Sequence, residues 1–531
     1  MRRISRRRFL AGVAGGAAGL ALPRRPCAAE SAAAAVKRPS IVIIMTDDSG
    51  FSDIGCYGSE IRTPNIDHLA HAGLRFAKFY NNARCSPTRA SLLTGQYPHA
   101  VGAGDLCRPV DETPYPGYLG YMSDQCVTLA EVLREAGYHT MMSGKWHLGG
   151  ERKTDQGEPA RGELEKWPLG RGFERFFGLI HGATDYFRPW DRRPFRLGND
   201  VYPVGENDDF YATDAITDYA IRWMEEARAH DSNPFFLYVP YTAPHGPVMA
   251  PKDAVAKYAG TYQRDWRVLH EERCRRLVDS GIVNKQWQPQ STVTTATGRK
   301  AASHMPTIAA MTEIVDRGVG RIVAKLRELG ELDNTLLMYL SDNGAAGPHI
   351  GLANAPFVGR KGSLQEGGTA AHCVVHWPEV VKRGGEVTQQ AGHVIDLMPT
   401  CVEMAGAAYP TTYNGRSIPP MEGKSLLPVF RGEQREGHEH LFWDLYAQQA
   451  VVQGKWKYYN DKEGQPHLYD LEADGTEMLD LAERYPQKVE ELRKAHAAWA
   501  SSHNVLPDDV VKAAQRKNRA TKRGGARNKQ Q

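Results

Sequence analysis

The sequence is poor in three features that would assign the chain to a special class of protein. Its eight cysteines are spread over 531 residues with no close pair of the kind that binds zinc, and a chain of this size needs no disulfide framework. No internal repeat is evident. The apolar run from Phe9 to Leu22 is too short and too rich in glycine for a stable membrane span. These absences leave a large globular chain whose function must be inferred from its motifs.

Basic side chains are scarce in the body of the chain, although the formal net charge is +4. Residues 1–29 carry seven Lys and Arg side chains and residues 510–531 carry eight, with no acidic residue in either segment. Without these ends, 51 basic and 62 acidic side chains remain, a charge of about −11 with neutral histidines. We therefore expect no nucleic-acid binding by the fold, and residues 510–531 are predicted to form a basic, disordered tail.

The first 29 residues resemble a twin-arginine export signal. The run Ser5–Leu10 contains three consecutive arginines before an apolar stretch, and Cys27-Ala28-Ala29 offers small residues for cleavage. A disordered basic arm is the alternative interpretation. The signal predicts a periplasmic or secreted protein with no stable membrane span. An oxidising periplasm would permit one disulfide, for example between Cys107 and Cys126.

Short apolar runs alternate with helical patterns along most of the chain. The predicted buried strands are 41–45, 140–143, 235–239 and 336–340, and the predicted helices include 64–72, one beginning near Cys85, 129–136 and 311–329. This alternation predicts an α/β fold, with a large mixed, mainly parallel sheet layered by helices on both faces.

A change of pattern near residue 436 predicts a second, smaller unit. Short strands are predicted at 441–445, 450–452, 456–460 and 467–470, followed by a helix near 487–501. They indicate a small antiparallel sheet with a C-terminal helix. We therefore divide the chain into a signal peptide (1–29), a catalytic domain (30–435), a C-terminal subdomain (436–509) and the basic tail (510–531).

Cys85 lies in the run Cys85–Arg89, which has the pattern of a helix start. Ser86 is predicted as the N-cap, Pro87 as the first helical residue and Gly95 as the end of the helix. A side chain there would face the anion-binding end of the helix. Taken alone, the run is also compatible with a buried structural cysteine.

Two pairs of oxygen-bearing side chains follow predicted strands. Asp47 and Asp48 come after the first strand, and Asp342 and Asn343 come after the strand 336–340. Ligands of open α/β sheets collect at the carboxyl ends of the strands, so the pairs are expected to converge. Carboxylate and amide oxygens suit Ca²⁺ or Mg²⁺ better than zinc or copper. Each pair alone would more often be a turn or a helix cap.

Cationic and imidazole side chains occupy loops just past other strands. Lys145 and His147 lie in a run framed by Gly144 and Gly149, His245 lies between two prolines, and Lys361 lies between Arg360 and Gly362. A lone His or Lys in a loop is usually solvated surface. Several of them at strand ends fit an anionic substrate better.

These motifs, in this order, resemble those of the sulfatase family, and the resemblance covers nearly the whole mature chain. It includes Gly55-Cys56-Tyr57-Gly58, and the insertion 262–283 is similar to bacterial arylsulfatases in particular. The segment 369–372 departs from the family pattern, which we expect to alter packing or a subsite and not the chemistry. The resemblance implies an alkaline-phosphatase-like fold and hydrolysis of a sulfate ester. It also implies that a formylglycine-generating enzyme oxidises Cys85 to formylglycine (3-oxoalanine).

The resemblance also implies a role for each site residue. Ca²⁺, with Mg²⁺ as the alternative, would be bound by Asp47, Asp48, Asp342, Asn343 and the modified Cys85. Arg89 and Lys145 would hold the formylglycine and the sulfate. His245 or Lys361 would protonate the departing alcohol oxygen, and His147 would accept a proton as sulfate is expelled.

Other functions stay open at this point. A formylglycine-dependent phosphodiester or phosphonate monoester hydrolase would use the same nucleophile. An ordinary dimetal phosphatase would need a second-metal histidine cluster, which is not apparent in the sequence. A non-catalytic sulfated-glycan binding protein would tolerate loss of the nucleophile or a ligand, and no such loss has occurred. The prediction is a sulfatase that acts on an aryl or a carbohydrate sulfate.

Overall fold

A mixed sheet of ten strands runs through the centre of the protein. The computed structural model describes residues 38–108, 112–150, 152, 159–287, 289 and 303–528, with side chains described up to residue 520. The strands lie in the spatial order Glu386–Thr388, Leu74–Phe76, Cys373–His376, Thr335–Ser341, Ser40–Asp47, Phe235–Pro244, His139–Lys145, Arg175–Leu179, Phe195–Leu197 and Asp200–Val201. The five in the middle of this order are mutually parallel, whereas antiparallel pairs occur towards both edges. The mainly parallel sheet is therefore confirmed.

Helices cover both faces of this sheet, as the sequence predicted. In the strand Ser40–Asp47, Ile41 and Ile43 belong to one apolar cluster and Val42 and Ile44 to the other, and all four are fully buried. Burial of both faces explains the continuous apolar run. The helices that contribute to the Val42 cluster are Pro64–Ala72, Ala212–His230, Lys252–Ala256, Trp266–Asp279, Met305–Glu328 and Ile350–Ala353. Those of the Ile41 cluster are Cys85–Thr94, Leu129–Glu135, Leu397–Ala405 and Leu427–Phe430.

The Cys85 helix begins earlier than predicted. Its N-cap residue is Arg84, whose carbonyl accepts a hydrogen bond from Thr88 N at 3.0 Å, so Cys85 already belongs to the first turn. The prediction of Ser86 as the N-cap is therefore wrong. Ser86 Oγ instead donates to the carbonyl oxygen of His147 at 2.9 Å. The predicted end is confirmed, because Gly95 has a left-handed φ of 68° that favours glycine.

The C-terminal sheet has four antiparallel strands, as predicted, followed by the helix Pro486–Ser502. The strands are Leu441–Leu445, Gln448–Gln453, Trp456–Asn460 and Pro466–Asp470. Trp443 Nε1 donates to the carbonyl of Asn81 at 2.7 Å, and its ring packs edge-on against Tyr80 with centroids 5.5 Å apart. These contacts anchor the small sheet beside the segment that leads into the Cys85 helix.

The predicted disorder of the basic tail is wrong for residues 510–528. A helix spans Asp508–Asn528, in which Val511 is buried. Gln515 Nε2 donates to Asp105 Oδ2 at 3.1 Å, and Asn518 Nδ2 donates to the carbonyl of Glu112 at 2.7 Å. Residues 511, 515 and 518 share one helix face, and this face attaches the basic helix to the rest of the protein. Charge counting alone does not reveal that periodicity.

Two smaller expectations concern the cysteines and the membrane. Cys107 and Cys126 form no disulfide, and neither does any other cysteine in the described part of the chain. No described helix combines the length and the apolar character that a membrane crossing requires. The predicted signal peptide, 1–29, lies outside the described residues.

A fully buried arginine ties the helix Trp266–Asp279 to the loop that follows the first strand. Arg273 Nη1 lies 2.9 Å from Asp53 Oδ1, and Nη2 lies 2.8 Å from Glu60 Oε1. Burial acts against ionisation of Glu60, yet the guanidinium of Arg273 lowers the pKa of Glu60 to about 2. The pair therefore remains ionised.

We expect Arg273→Ala to lower the free energy of unfolding by about 3–5 kcal/mol, because it leaves the fully buried Asp53 and the partly buried Glu60 without their cation. Arg267→Ala on the same helix is the matched control: its ion pair with Asp265 is exposed, so a loss of at most about 1 kcal/mol is expected. Urea unfolding of both variants measures the difference. Equal losses of stability in the two variants would show that the ion pairs of Arg273 stabilise the fold no more than an exposed ion pair does.

Candidate active site

The two oxygen-bearing pairs meet at the carboxyl ends of adjacent strands. Asp47 ends the strand Ser40–Asp47, and Asp342 directly follows the neighbouring strand. Asp48 N donates to Asp342 Oδ1 at 3.3 Å, and Asn343 Nδ2 donates to Asp48 Oδ1 at 2.8 Å. Asp48 has a φ of 67°, which is uncommon outside glycine and indicates local strain. The convergence argued from strand ends is therefore confirmed.

Cys85 and Arg89 project from the first turns of their helix towards this pair. Cys85 Sγ lies 3.6 Å from Asp47 Oδ1, and burial followed by the charge of Asp47 raises the pKa of the thiol to about 11. Arg89 Nη2 lies 3.1 Å from Asp47 Oδ2 and 2.9 Å from Asp342 Oδ2. The fully buried guanidinium thus holds two carboxylates in place; its contact with sulfate stays a prediction.

The remaining basic residues surround the same carboxylates. Lys145 forms an ion pair with Asp47, and Lys361 Nζ forms one with Asp48 and lies 3.8 Å from Asp47 Oδ1. His245 Nε2 lies 3.8 Å from Asp48 Oδ2. His147 follows two residues after Lys145 with a φ of 57°, and its Nδ1 is buried without a hydrogen-bond partner among the described residues. The structure thus brings all ten predicted positions into one cluster.

The protonation states follow from burial and from this charge pattern. Burial opposes ionisation of Asp47, but the cations Lys145, Lys361 and Arg89 hold its pKa well below the ordinary value. Burial, followed by the neighbouring Asp47, raises the pKa of Asp342 to about 6. The pKa of His147 is well below its ordinary value because burial and nearby cations disfavour the imidazolium. Burial also lowers the pKa of His245. Both histidines are therefore neutral near pH 7 before a ligand binds.

The donor set fits a hard divalent cation. Three buried carboxylates and an amide face one another, and Asn343 Oδ1 is buried with no hydrogen-bond partner among the described residues. A buried oxygen without a hydrogen-bond partner destabilises the folded protein unless it binds a ligand. Single ligand atoms from Asp47, Asp48, Cys85 and His245 lie within 4.8 Å of one another. Of the residues in the cluster, Asp47, Asp48, Asp342 and Asn343 offer oxygen donors, which suit Ca²⁺ or Mg²⁺.

A pocket of about 750 Å³, here called the side pocket, opens next to Lys361. Its wall includes the aromatic side chains of Trp266, Phe357, Tyr446 and Tyr459. Tyr459 belongs to a strand of the C-terminal sheet, and Tyr446 lies in a loop between two of its strands. The volume lies within the range of ligand sites in proteins, and it places a binding surface beside the cluster.

Sequence reasoning missed that the C-terminal sheet supports the loop that carries Lys361. Gln448 Nε2 donates to the carbonyl of Gly362 at 2.9 Å. Lys457 Nζ, fully buried, lies 2.7 Å from Glu366 Oε1 and from Glu477 Oε1. These contacts join segments far apart in the chain, so no local motif contains them. A lysine within the apolar strand Trp456–Asn460 was the one available signal.

Known proteins with a related sequence decide the family. A sequence model described as Sulfatase matches residues 39–407, more than half of the chain. The chain belongs to the sulfatase family. It is therefore a sulfuric ester hydrolase, and the predicted family is confirmed.

Three relatives illustrate the spread of this sulfatase family. An uncharacterized sulfatase of Schizosaccharomyces pombe is 31% identical, with 90% of this chain and 96% of the relative covered. The arylsulfatase of Klebsiella aerogenes is 27% identical, with 77% and 96% covered. The N-acetylgalactosamine-6-sulfatase of Canis lupus familiaris is 30% identical, with 80% and 72% covered. The similarity to a bacterial arylsulfatase is thus confirmed.

A solved structure supports the fold. The crystal structure of Ps i-CgsB in complex with k-i-k-neocarrahexaose superposes with a TM-score of 0.69 at 24% sequence identity. The comparison covers 91% of this chain and 98% of that chain. The alkaline-phosphatase-like arrangement, with its small C-terminal antiparallel sheet, is therefore shared over nearly the full length.

Proposed function

We propose that this sulfatase hydrolyses an aryl or carbohydrate sulfate through a formylglycine derived from Cys85 and a bound Ca²⁺. The observation that supports this most is the position of Cys85. Its Sγ lies in the first turn of a helix, 3.6 Å from Asp47, inside a cluster whose Asn343 Oδ1 has no partner among the described residues. A buried structural cysteine needs neither the carboxylates nor the cations around it.

The residues that would hold the metal are Asp47, Asp48, Asp342 and Asn343, together with the modified residue 85. Ca²⁺ supplies positive charge to the anionic ester and lowers the pKa of a coordinated hydroxyl, and Mg²⁺ is the alternative. Oxidation of Cys85 would supply a hydrated aldehyde with two hydroxyl groups, one to attack sulfur and one to release sulfate afterwards. A thiol has no second hydroxyl and would not complete the cycle.

The other side chains supply charge and move protons. Lys145 and the helix N-terminus are positioned to neutralise the sulfate, while Arg89 holds the carboxylates that face it. Burial opposes the charge of Lys361, yet Asp48 and its other anionic neighbours raise its pKa, so it stays protonated and can donate to the departing oxygen. His245 is the second candidate for this donor. His147, neutral before substrate binds, can accept a proton when sulfate leaves.

The relatives support both an aryl and a carbohydrate sulfate as the substrate. One relative is an arylsulfatase and another is an N-acetylgalactosamine-6-sulfatase. The aromatic lining of the side pocket favours a carbohydrate, because the faces of sugar rings pack well against aromatic side chains. Steady-state kinetics on sulfated monosaccharides, sulfated oligosaccharides and 4-nitrophenyl sulfate, with 4-nitrophenyl phosphate in parallel, tests the proposal. A higher kcat/KM on the phosphate than on every sulfate would contradict it.

Maturation and export complete the proposal. A formylglycine-generating enzyme would modify Cys85 in the cytoplasm, and twin-arginine export would then carry the folded protein to the periplasm. The basis is the signal-like pattern of residues 1–29. Fractionation of cells that produce the full chain, with and without substitution of Arg6 and Arg7 by Lys, measures whether export depends on the arginine pair.

We expect His245→Ala to slow a sugar sulfate far more than 4-nitrophenyl sulfate. A sugar alcohol is a poor leaving group that needs a proton, whereas nitrophenolate leaves without help. General acid catalysis contributes about 10²–10⁴-fold, which sets the expected loss for the sugar substrate. The measurement is kcat on both substrates.

Arg89→Ala is the comparison variant, because Arg89 serves a part of the site common to both substrates. It should impair both to a similar extent. Equal losses on both substrates in His245→Ala would show that this histidine binds sulfate and that Lys361 is the proton donor.

A further inference from the structure

The side pocket carries positive charge that the catalytic cluster does not use. Arg84, Arg360 and Lys462 line it together with Lys361. The Lys361 ammonium is already paired with Asp48. Glu463 is the one acidic side chain among the described residues that line the pocket. The pocket is therefore electropositive before any substrate enters.

Arg84 is the most informative of these cations. It is half-buried, and its Nε is fully buried with no hydrogen-bond partner among the described residues. The guanidinium lies over the ring of Tyr446, 5.6 Å from the centroid, and no carboxylate in the described part of the chain forms an ion pair with it. Arg84 Nη1 also lies close to Gly362, the residue after Lys361: a β-carbon placed on this glycine would be 3.8 Å from it. Burial opposes the charge of Arg84, while Tyr446, Cys85, Asp48 and Asp105 raise its pKa without forming a direct ion pair. The buried Nε still lacks a hydrogen-bond acceptor, which an anionic ligand would supply.

The residue that supports Arg84 is held in a strained conformation. Tyr446 and Ala447 form the two-residue loop between the strands Leu441–Leu445 and Gln448–Gln453, with φ values of 55° and 63°. Loops of this geometry favour Asn-Gly, because positive φ is costly for other residues. Burial, followed by the nearby Asp105 carboxylate, raises the pKa of Tyr446. A bulky residue that occupies a strained position and whose ring lies against a guanidinium indicates a functional role for the pair.

We propose that the side pocket binds a second anionic group of the substrate, with Arg84 as its main contact and Arg360 and Lys462 at the rim. This inference rests on the proposed function in one respect: it assumes that the reacting sulfate binds at the catalytic cluster. That sulfate is bound by the catalytic cations, so a substrate with a single charge would leave Arg84 without a direct anionic partner. A guanidinium presents a planar fork of donors that matches the oxygens of a sulfate or a carboxylate. The substrate class is thus a polyanionic saccharide, either multiply sulfated or carrying a uronate.

Binding to the Cys85→Ala protein tests the proposal, because this protein cannot turn its ligand over. The calorimetric probes are N-acetylglucosamine 6-sulfate with one anionic group, glucosamine 2-N,6-O-disulfate with a second sulfate, and a chondroitin 6-sulfate disaccharide with a carboxylate. We expect one of the two dianionic ligands to bind about 10-fold more tightly than the monosulfate or better. Comparison of the disulfate with the carboxylate-bearing disaccharide shows whether the pocket prefers a sulfate or a carboxylate as the second anion. The preference should shrink as salt rises.

When Arg84→Gln is added to the Cys85→Ala protein, the affinities for the dianionic ligand and for the monosulfate should differ by no more than about twofold. Arg84→Lys should keep part of the preference for the dianionic ligand. Arg383→Gln is the matched control, because Arg383 is 80% exposed and lies outside the pocket. It should leave the ratio unchanged. Absence of any preference in the parent protein, or a preference that persists in Arg84→Gln, would overturn the proposal. Sulfate release by the Cys85 enzyme is measured separately, so failure of the proposed function is distinguished from failure of this inference.

Discussion

Cys85→Ala should reduce sulfatase activity by at least about 10⁴-fold while the protein stays folded. Removal of a covalent nucleophile costs this much or more in other hydrolases, because the remaining groups bind the substrate without reacting with it. The fold should tolerate the change, since the substitution removes one buried sulfur atom and no ion pair. Sulfate release under saturating substrate measures the loss, and thermal unfolding measures the fold.

Cys85→Ser sharpens this prediction. In a host whose modifying enzyme oxidises only cysteine, the serine variant should be nearly as inactive as the alanine variant. Cys401→Ala is the matched control, because Cys401 is another fully buried free thiol, placed in the helix Leu397–Ala405 away from the cluster. It should keep its activity. A serine variant with activity close to that of the natural chain would mean that residue 85 acts through an unmodified side chain.

Asp342→Asn should remove both the bound metal and the activity. The substitution keeps the volume but takes a negative charge from a site that holds a divalent cation through oxygen. Substitution of a residue that only supports a metal site lowers metal affinity or activity about 10–100-fold. Substitution of a direct ligand should therefore lower activity by more than about 100-fold. Elemental analysis of the purified variant and its sulfate release give the two readouts.

Asp218→Asn provides the control for this prediction, because Asp218 is an exposed carboxylate paired with Arg321 on the protein surface. It should retain metal and activity. Stoichiometric zinc in the natural chain, with activity restored by zinc alone, would contradict the assignment of an all-oxygen calcium site. Retention of one metal ion per chain in Asp342→Asn would show that the negative charge of Asp342 is not needed to hold the metal.

Much of the fold and the cluster could be predicted because the information is local or follows from sheet geometry. Parallel strands end at one edge, so Asp47 and Asp342 had to meet once their strands were adjacent. The strand limits were underestimated where the chain continues with residues other than Val, Ile or Leu. The run 235–239 thus extends to Phe235–Pro244, whose last residues carry the chain to His245.

The features that sequence reasoning missed depend on long-range contacts. Ser86 has the chemistry of an N-cap, but its hydroxyl is used by His147 and the helix begins at Cys85. The tail is basic enough for disorder, yet Val511 packs into the protein as part of a helix. Arg84 gains its significance from Tyr446, which is more than 350 residues away in the chain. No local pattern records such a contact.

Peptide mass spectrometry of the active, purified enzyme tests the central claim most directly. The peptide that contains residue 85 should carry an aldehyde in place of the CH₂SH group, and an aldehyde-reactive probe should label that residue and no other. The modified fraction should rise and fall with specific activity when the modifying enzyme is supplied or withheld. Fully active protein that contains only unmodified Cys85 would contradict the account.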